Sequence, residues 1–368
     1  MRKREGRRLR PEINTAVLSN QAFSVLVFGA GAVGTYIGGS LALHGQRVVF
    51  LEKPEIVDDL RRRGLRLSLE DGEHSLPALV AAGSLQEALD MGPFDVAIFA
   101  LKSNDTRSAL EIMAPFSSQV PSILCLQNGV ENEAALAGLL GADRVIPGSL
   151  TSAIGRRAAG DIVLERRRGM GLASGHSLSN VLARALNQAG LNAWLYSRPA
   201  DMKWSKMLTN LLANASSAIL DLTPAQVFAH PGLFRLEIRQ QRETLQVMAA
   251  HDIHVVDLPG TPVRLLSWAV CSLPPWLSRP FIRRAVGSGR GGKMPSFHID
   301  LHSGKGSSEV DYLNGAVVRF GNQKGIATPV NRLLNETLLA LTRGELSMEE
   351  YSHQPEKLLS TVSTQATI

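Results

Sequence analysis

Cysteine is almost missing from this chain: Cys125 and Cys271 are the only two in 368 residues. They lack the spacing of a zinc motif, and Cys125 falls in a run that reads as a buried strand. No disulfide is therefore expected, and the usage fits a reducing, cytoplasmic compartment. Long apolar runs are missing too. The best candidate, 265–277, is interrupted by Pro274 and Pro275 and falls short of the ~20 residues that a membrane-spanning helix needs. Neither an internal repeat nor a long low-complexity tract is present. Net charge is missing from the body of the chain. Arg2, Lys3, Arg4, Arg7, Arg8 and Arg10 against Glu5 supply +5 of the formal +6. A near-neutral body argues against a nucleic-acid partner. Residues 1–20 read as a disordered basic tail, without the apolar segment of a secretory signal.

What is present begins at residue 24. Residues 24–28 are a short apolar run of the buried-strand kind. Gly29-Ala30-Gly31-Ala32-Val33-Gly34 and a helical stretch over 35–43 follow. Strand, GxGxxG, helix is a dinucleotide-binding order. The first glycine permits the tight turn, the second lets a pyrophosphate approach, and the third lets helix pack on strand. The pyrophosphate would rest on the amides of the helix N-terminus. His44-Gly45-Gln46 ends the helix, and 47–51 reads as a second strand. Glu52 then stands where an acidic residue holds the adenosine ribose hydroxyls, and Lys53 where a cation would meet a 2′-phosphate. A glycine-rich turn without nucleotide is the alternative; the flanking βαβ pattern argues against it.

Two further strands are expected, over 95–101 and 121–126. The first ends in Lys102-Ser103-Asn104, the second in Gln127-Asn128-Gly129. Ligands bind beyond the carboxyl ends of parallel strands, so Lys102 and Asn128 point where a nicotinamide and its substrate would lie. Taken singly, each is also an ordinary polar loop residue.

From about residue 198 the strand-like runs give way to helical ones, over 206–220, 224–228 and 233–250. An irregular region rich in Pro, Gly and Arg fills 251–294. Its glycine-rich 287–293 reads as a loop, since no strand precedes it as in a phosphate-binding loop. Within the apolar stretch 201–214, Lys206, Asn210 and Asn214 recur every fourth residue and make one polar stripe on a helix. Burying an ammonium and two amides is costly unless each has a partner. The stripe thus suggests a wall facing a polar ligand, although the solvent face of an amphipathic helix has the same pattern. His298 and His302 are also four apart, as a metal on a helix would need. No third ligand is evident, and no metal is expected. Ser307 and Ser308 before Glu309 read as a helix start with an acidic first turn.

These segments together resemble the ketopantoate reductase (2-dehydropantoate 2-reductase) family. The resemblance rests on Gly29 to Gly34; Leu101-Lys102; Gln127-Asn128-Gly129; Lys203-Trp204-Ser205-Lys206-Met207-Leu208 with Asn210; and Pro295-Ser296 with Glu309-Val310-Asp311-Tyr312-Leu313-Asn314-Gly315. It implies an α/β chain with an N-terminal Rossmann-type doubly wound sheet over 21–197. A second, all-helical domain over 198–350 and a flexible C-terminal tail at 351–368 would follow. It implies NADPH-dependent reduction of 2-dehydropantoate to (R)-pantoate, a step toward pantothenate and coenzyme A, with NADH left open. Carried over by position, Lys206 is the general acid and Glu309 the acidic residue beside substrate and cofactor. Asn128, Asn210, Asn214 and Ser296 bind substrate. Gly29, Ala30, Gly31, Ala32, Val33, Gly34, Glu52, Lys53, Lys102, Asn128 and Glu309 serve the cofactor.

The chain departs from the family at Lys53, where Arg is usual, and at Glu52, where a neutral residue is usual. It also departs at His298, where Gln is common, and in the longer 251–294 region. The expected partner is a small keto acid, with neither nucleic acid nor membrane; a homodimer stays open. Two other readings remain: a dehydrogenase of another small keto or hydroxy acid, and a non-catalytic nucleotide sensor.

Overall fold

The computed structural model describes residues 23–274, 279, 293–304 and 306–365. The basic tail at 1–20 and most of the glycine-rich loop, 287–292, lie outside the described residues. β1 (Ser24–Phe28) is the hub of the larger sheet, with Val25, Leu26 and Val27 fully buried. Such a run, apolar at every position, suits a strand covered on both faces. β1 pairs in parallel with β2 (Arg47–Leu51) on one side and β6 (Val96–Phe99) on the other. β5 (Val80–Ala82) lies beyond β2; β7 (Ile123–Cys125) and β8 (Val145–Leu150) lie beyond β6. Antiparallel β11 (Met170–Ala173) and then β12 (Ala193–Tyr196) complete the order β12-β11-β8-β7-β6-β1-β2-β5. A four-stranded sheet made of β3 (Leu65–Leu69), β4 (Gly72–Leu76), β9 (Ala153–Ala158) and β10 (Asp161–Arg166) packs over α1 (Ala32–Leu43).

The chain runs from β1 outward to β2 and later returns to β6 on the opposite side, so the strand order reverses beside β1. Register pairs Phe28 with Phe99, and Phe99 with Cys125. The loops that begin at Gly29, Ala100 and Leu126 therefore leave the sheet along one edge, at the switch point where such sheets bind ligands.

After Tyr196 no strand occurs among the described residues. Five helices in this part begin with Pro in their first turn, at 199, 224, 231, 329 and 355. Proline's fixed φ suits that position, and its missing N–H has no helical partner to lose. Thr223 adds a capping box with Gln226. The Pro231–Ala250 helix runs through the middle of this part and packs against Val263–Ser272, Pro329–Thr342 and Pro355–Gln365.

Three expectations need correction. The region 251–294 was expected to be irregular, yet Val263–Ser272 is helical, because Val263, Ala269 and Val270 bury one face. The segment from 351 was expected to be a flexible tail. Instead Tyr351 and Leu358 are buried and the Pro355–Gln365 helix packs on two others. The helix expected through 206–220 is two helices. α7 (Pro199–Leu211) ends at Leu212, Ala213 takes a left-handed φ of 49°, and α8 (Asn214–Leu220) restarts.

Such a φ is unfavourable for alanine, and buried Glu237 holds it. One carboxylate oxygen accepts the Ala213 amide at 2.8 Å, and the other accepts the Ser216 hydroxyl. Glu237→Ala should leave both donors unsatisfied at about 1–3 kcal/mol each. Thermal unfolding should then fall by roughly 5–10 °C. A melting temperature within a degree of wild type would show that the break does not depend on this carboxylate.

Candidate active site

The glycine loop closes as its sequence requires. Gly29 adopts φ 93°, which an L side chain resists, and a β-carbon on Gly34 would lie 1.9 Å from the Gly29 carbonyl oxygen. A β-carbon on Gly31 would meet nothing within 4 Å. Gly31 is the N-cap of α1, with no side-chain cap and no acidic residue in the first turn. The positive end of the helix thus faces an open side, fit for a pyrophosphate. Glu52, at the end of β2, binds the same loop: its carboxylate accepts the Ala30 amide at 3.0 Å and the Lys53 amide at 2.8 Å. Lys53 is exposed at the N-cap of α2 (Pro54–Arg63).

Along the sheet edge a second group of residues is joined by hydrogen bonds. Buried Ser103 donates its hydroxyl to the Asn128 carbonyl at 3.1 Å and its amide to Glu309 at 3.0 Å. Asn132, at the start of α5 (Asn132–Leu140), donates to the Asn128 carbonyl at 2.7 Å and to the Ser103 hydroxyl at 3.1 Å. Gln127 donates to the Lys102 carbonyl at 3.0 Å. The ends of β6 and β7 are therefore fixed to each other and to Glu309.

α7 brings the helical part to this edge. Asn210 donates to the Asn128 side-chain oxygen at 3.0 Å. Lys206 is half-buried one turn earlier on the same helix. Lys203, three residues before it, is buried and fully committed. Its ammonium reaches the Gln127 carbonyl at 2.7 Å, the Gly148 carbonyl at 3.2 Å and Glu133 at 2.7 Å. Lys203 thus ties α7 to β7 and β8.

The break at Ala213 turns Asn214 toward the Ser296–His302 helix. Asn214 donates to the Ser296 hydroxyl at 3.3 Å and accepts the Phe297 amide at 3.1 Å. The same short helix carries Asp300, which pairs with the Lys102 ammonium. Lys102, Asn128 and Ser296 are exposed, whereas Asn214 and Glu309 are buried. These polar groups line the junction between the sheet edge and the helices. A second ion-pair group joins the two parts nearby: Arg319 pairs with Glu131 at 2.5 Å and Asp311 at 3.0 Å.

Bonded contacts thus link Lys102, Asn128, Asn210, Asn214, Ser296 and Glu309, with Lys206 one helical turn from Asn210. Glu52 and Lys53 lie with the glycine loop instead. Cys125, at the end of β7, offers no nucleophile: burial first, then the charge of Glu133, pushes its thiol up. Sequence reasoning missed Ser103, Asn132, Asp300 and the Lys203–Glu133 pair. Lys203 and Asp300 stood inside motifs already singled out, but their partners are distant in the chain.

Comparison with known proteins identifies the family. Residues 25–174 match the family described as Ketopantoate reductase PanE/ApbA, and residues 200–342 match its C-terminal counterpart. The chain belongs to the ketopantoate reductase family. Among relatives of this family, the 2-dehydropantoate 2-reductase of Halobacterium salinarum is 27% identical, covering 84% of this chain and 96% of that protein. A PanE/ApbA family ketopantoate reductase from Ralstonia eutropha shares the fold with a TM-score of 0.73 at 26% identity, covering 87% of this chain and 99% of that one. D-mandelate dehydrogenase, solved with NADH and anilino(oxo)acetate, superposes with a TM-score of 0.71 at 21% identity, covering 87% and 98%. At that identity the likeness is one of fold. Among the described residues, no helix is long and apolar enough to cross a membrane.

Proposed function

We propose that this chain reduces 2-dehydropantoate to (R)-pantoate with NADPH. The observation that carries the reading is the Asn210–Asn128 hydrogen bond at 3.0 Å. It closes α7 onto the sheet edge, one turn from Lys206 and beside Glu309. Family membership supports the reaction class.

NADPH, when bound, supplies the hydride. Gly29, Ala30, Gly31, Ala32, Val33 and Gly34 with the amides of α1 would hold its pyrophosphate, and Glu52 and Lys53 would serve its adenosine end. This chain's residues do the rest. Lys206 holds a proton at Nζ. Its ammonium stabilises the negative charge that grows on the 2-keto oxygen and then donates the proton to it. Asn128, Asn210, Asn214 and Ser296 bind the substrate through neutral amide and hydroxyl groups. The Glu309 carboxylate accepts from a substrate hydroxyl as it accepts from Ser103. A nucleotide sensor has no use for an ammonium at that position, which argues against a non-catalytic role.

Assaying NADPH oxidation with a panel of 2-keto acids tests the substrate. The expected result is the highest kcat/KM with 2-dehydropantoate. A larger value for another acid would assign the site to that acid.

The cofactor choice rests on two adjacent residues that pull oppositely. Lys53 can pair with a 2′-phosphate, but as a solvated point charge without the fork of arginine. Glu52 is fixed by two backbone amides, in a position to accept from free ribose hydroxyls. Lys53→Ala should therefore lower the NADPH-to-NADH ratio of kcat/KM by only about two- to fivefold, the range of an exposed ion pair. An unchanged ratio would show that Lys53 takes no part in the choice.

A further inference from the structure

His298 and His302 find a third partner in the fold. The Ser296–His302 helix puts their rings on one face, with centroids 4.1 Å apart. Asp221, 77 residues upstream of His298 at the end of α8, brings its Oδ1 to 2.7 Å from His298 Nε2. One donor atom from each of Asp221, His298 and His302 lies within 4.8 Å of the other two. His353 Nε2 stands 3.8 Å from the second carboxylate oxygen of Asp221. Both Asp221 and His353 adopt left-handed backbone, with φ of 50° and 55°. Such conformations are costly in non-glycine residues and persist where the surroundings dictate them. The His353 amide also donates to the Leu220 carbonyl at 2.8 Å, which fixes it beside Asp221.

We infer that Asp221, His298 and His302 form a binding site for a divalent first-row cation of zinc's class, with water as the fourth ligand. Two imidazole nitrogens and one carboxylate oxygen are a donor set that such ions favour over calcium or magnesium. Zinc bonds of about 2.0–2.2 Å in a tetrahedron put neighbouring donors about 3.3 Å apart. The cation therefore takes the place of the proton shared by His298 and Asp221, and these two atoms move apart slightly. The half-exposed Asp221 carboxylate and the exposed His302 ring leave room for that adjustment.

The same helix carries a charged contact on its other side. Asp300, two residues from His298, lies on the opposite side of the helix, where it pairs with Lys102. A cation on the histidine face would clamp the same helix from the other side. Ser296 starts that helix.

The test uses the full chain without a histidine tag, stripped with a chelator and titrated with ZnCl2 by calorimetry. Co2+ absorption reports the coordination geometry. The inference expects one equivalent of Zn2+ bound and a tetrahedral Co2+ spectrum. Replacing partners that merely orient a ligand costs 10- to 100-fold in affinity. His302→Gln and Asp221→Asn should therefore weaken binding by at least about tenfold. Asn tolerates the left-handed backbone at 221, and His302 is exposed, so both variants should fold. His74→Gln, at a distant surface histidine, should bind as wild type does. Wild type that takes up no Zn2+ at one equivalent would overturn the inference. So would undiminished binding by both site variants.

Discussion

Lys206→Ala should lower turnover by roughly 10²–10⁴-fold, the range expected when a general acid is lost, and should leave cofactor affinity within about twofold. The expectation comes from comparing two lysines on α7. Lys203 is buried, with its ammonium committed to two backbone carbonyls and Glu133. Removing it would take a donor from both carbonyls and the ion-pair partner from Glu133. Lys203→Met should therefore act on stability before it acts on chemistry. Lys206 is half-buried and one turn from Asn210, whose amide already reaches the Asn128 loop. In the proposed reaction its ammonium protonates the keto oxygen. Stopped-flow turnover, cofactor titration and thermal unfolding on both variants separate the roles. If Lys206→Ala retains turnover within about threefold, the proton comes from elsewhere.

Gly34→Ala should weaken cofactor binding by at least about tenfold to hundredfold, from the 1–3 kcal/mol typical of overpacking. The added methyl would sit 1.9 Å from the Gly29 carbonyl oxygen, and a backbone atom cannot rotate out of the way. The turn must open, and the Gly31 amide edge moves with it. Glu52 adds to the effect, because it holds the same turn through the Ala30 amide. Beneath the turn, β1 is buried from Val25 to Phe28, so circular dichroism should keep its wild-type shape. Cofactor titration that returns wild-type affinity would show that the loop tolerates the change and does not grip the pyrophosphate.

The two effects come from features that differ in how far the sequence shows them. The glycine loop is local: strand, turn and helix follow within twenty residues, and each glycine's role can be read from its spacing. β1 and β2 likewise declare themselves as apolar runs closed by turn residues. The polar stripe Lys206, Asn210, Asn214 was visible as a periodicity, but the periodicity assumed a continuous helix. What breaks it is Glu237, which accepts the Ala213 amide from 24 positions away. No local pattern announces such a bond. Without the break, Asn214 would follow α7 and could not turn to Ser296. Asp300 and Asp221 were hidden for the same reason. Each is an ordinary acidic residue until the fold sets Lys102 beside one and His298 beside the other. The C-terminal helix shows the limit in another way, since its polar sequence reads as a tail until Leu358 is seen buried.

Direct hydride transfer to the keto acid is the claim on which the account depends. NADPH deuterated on the nicotinamide C4, incubated with the full chain and 2-dehydropantoate, tests it in one product analysis by mass spectrometry and NMR. The account predicts pantoate carrying one deuterium at C2 when the transferring face is labelled, and none when the opposite face is labelled. Unreacted 2-dehydropantoate with either labelled cofactor, or pantoate free of deuterium with both, would contradict it.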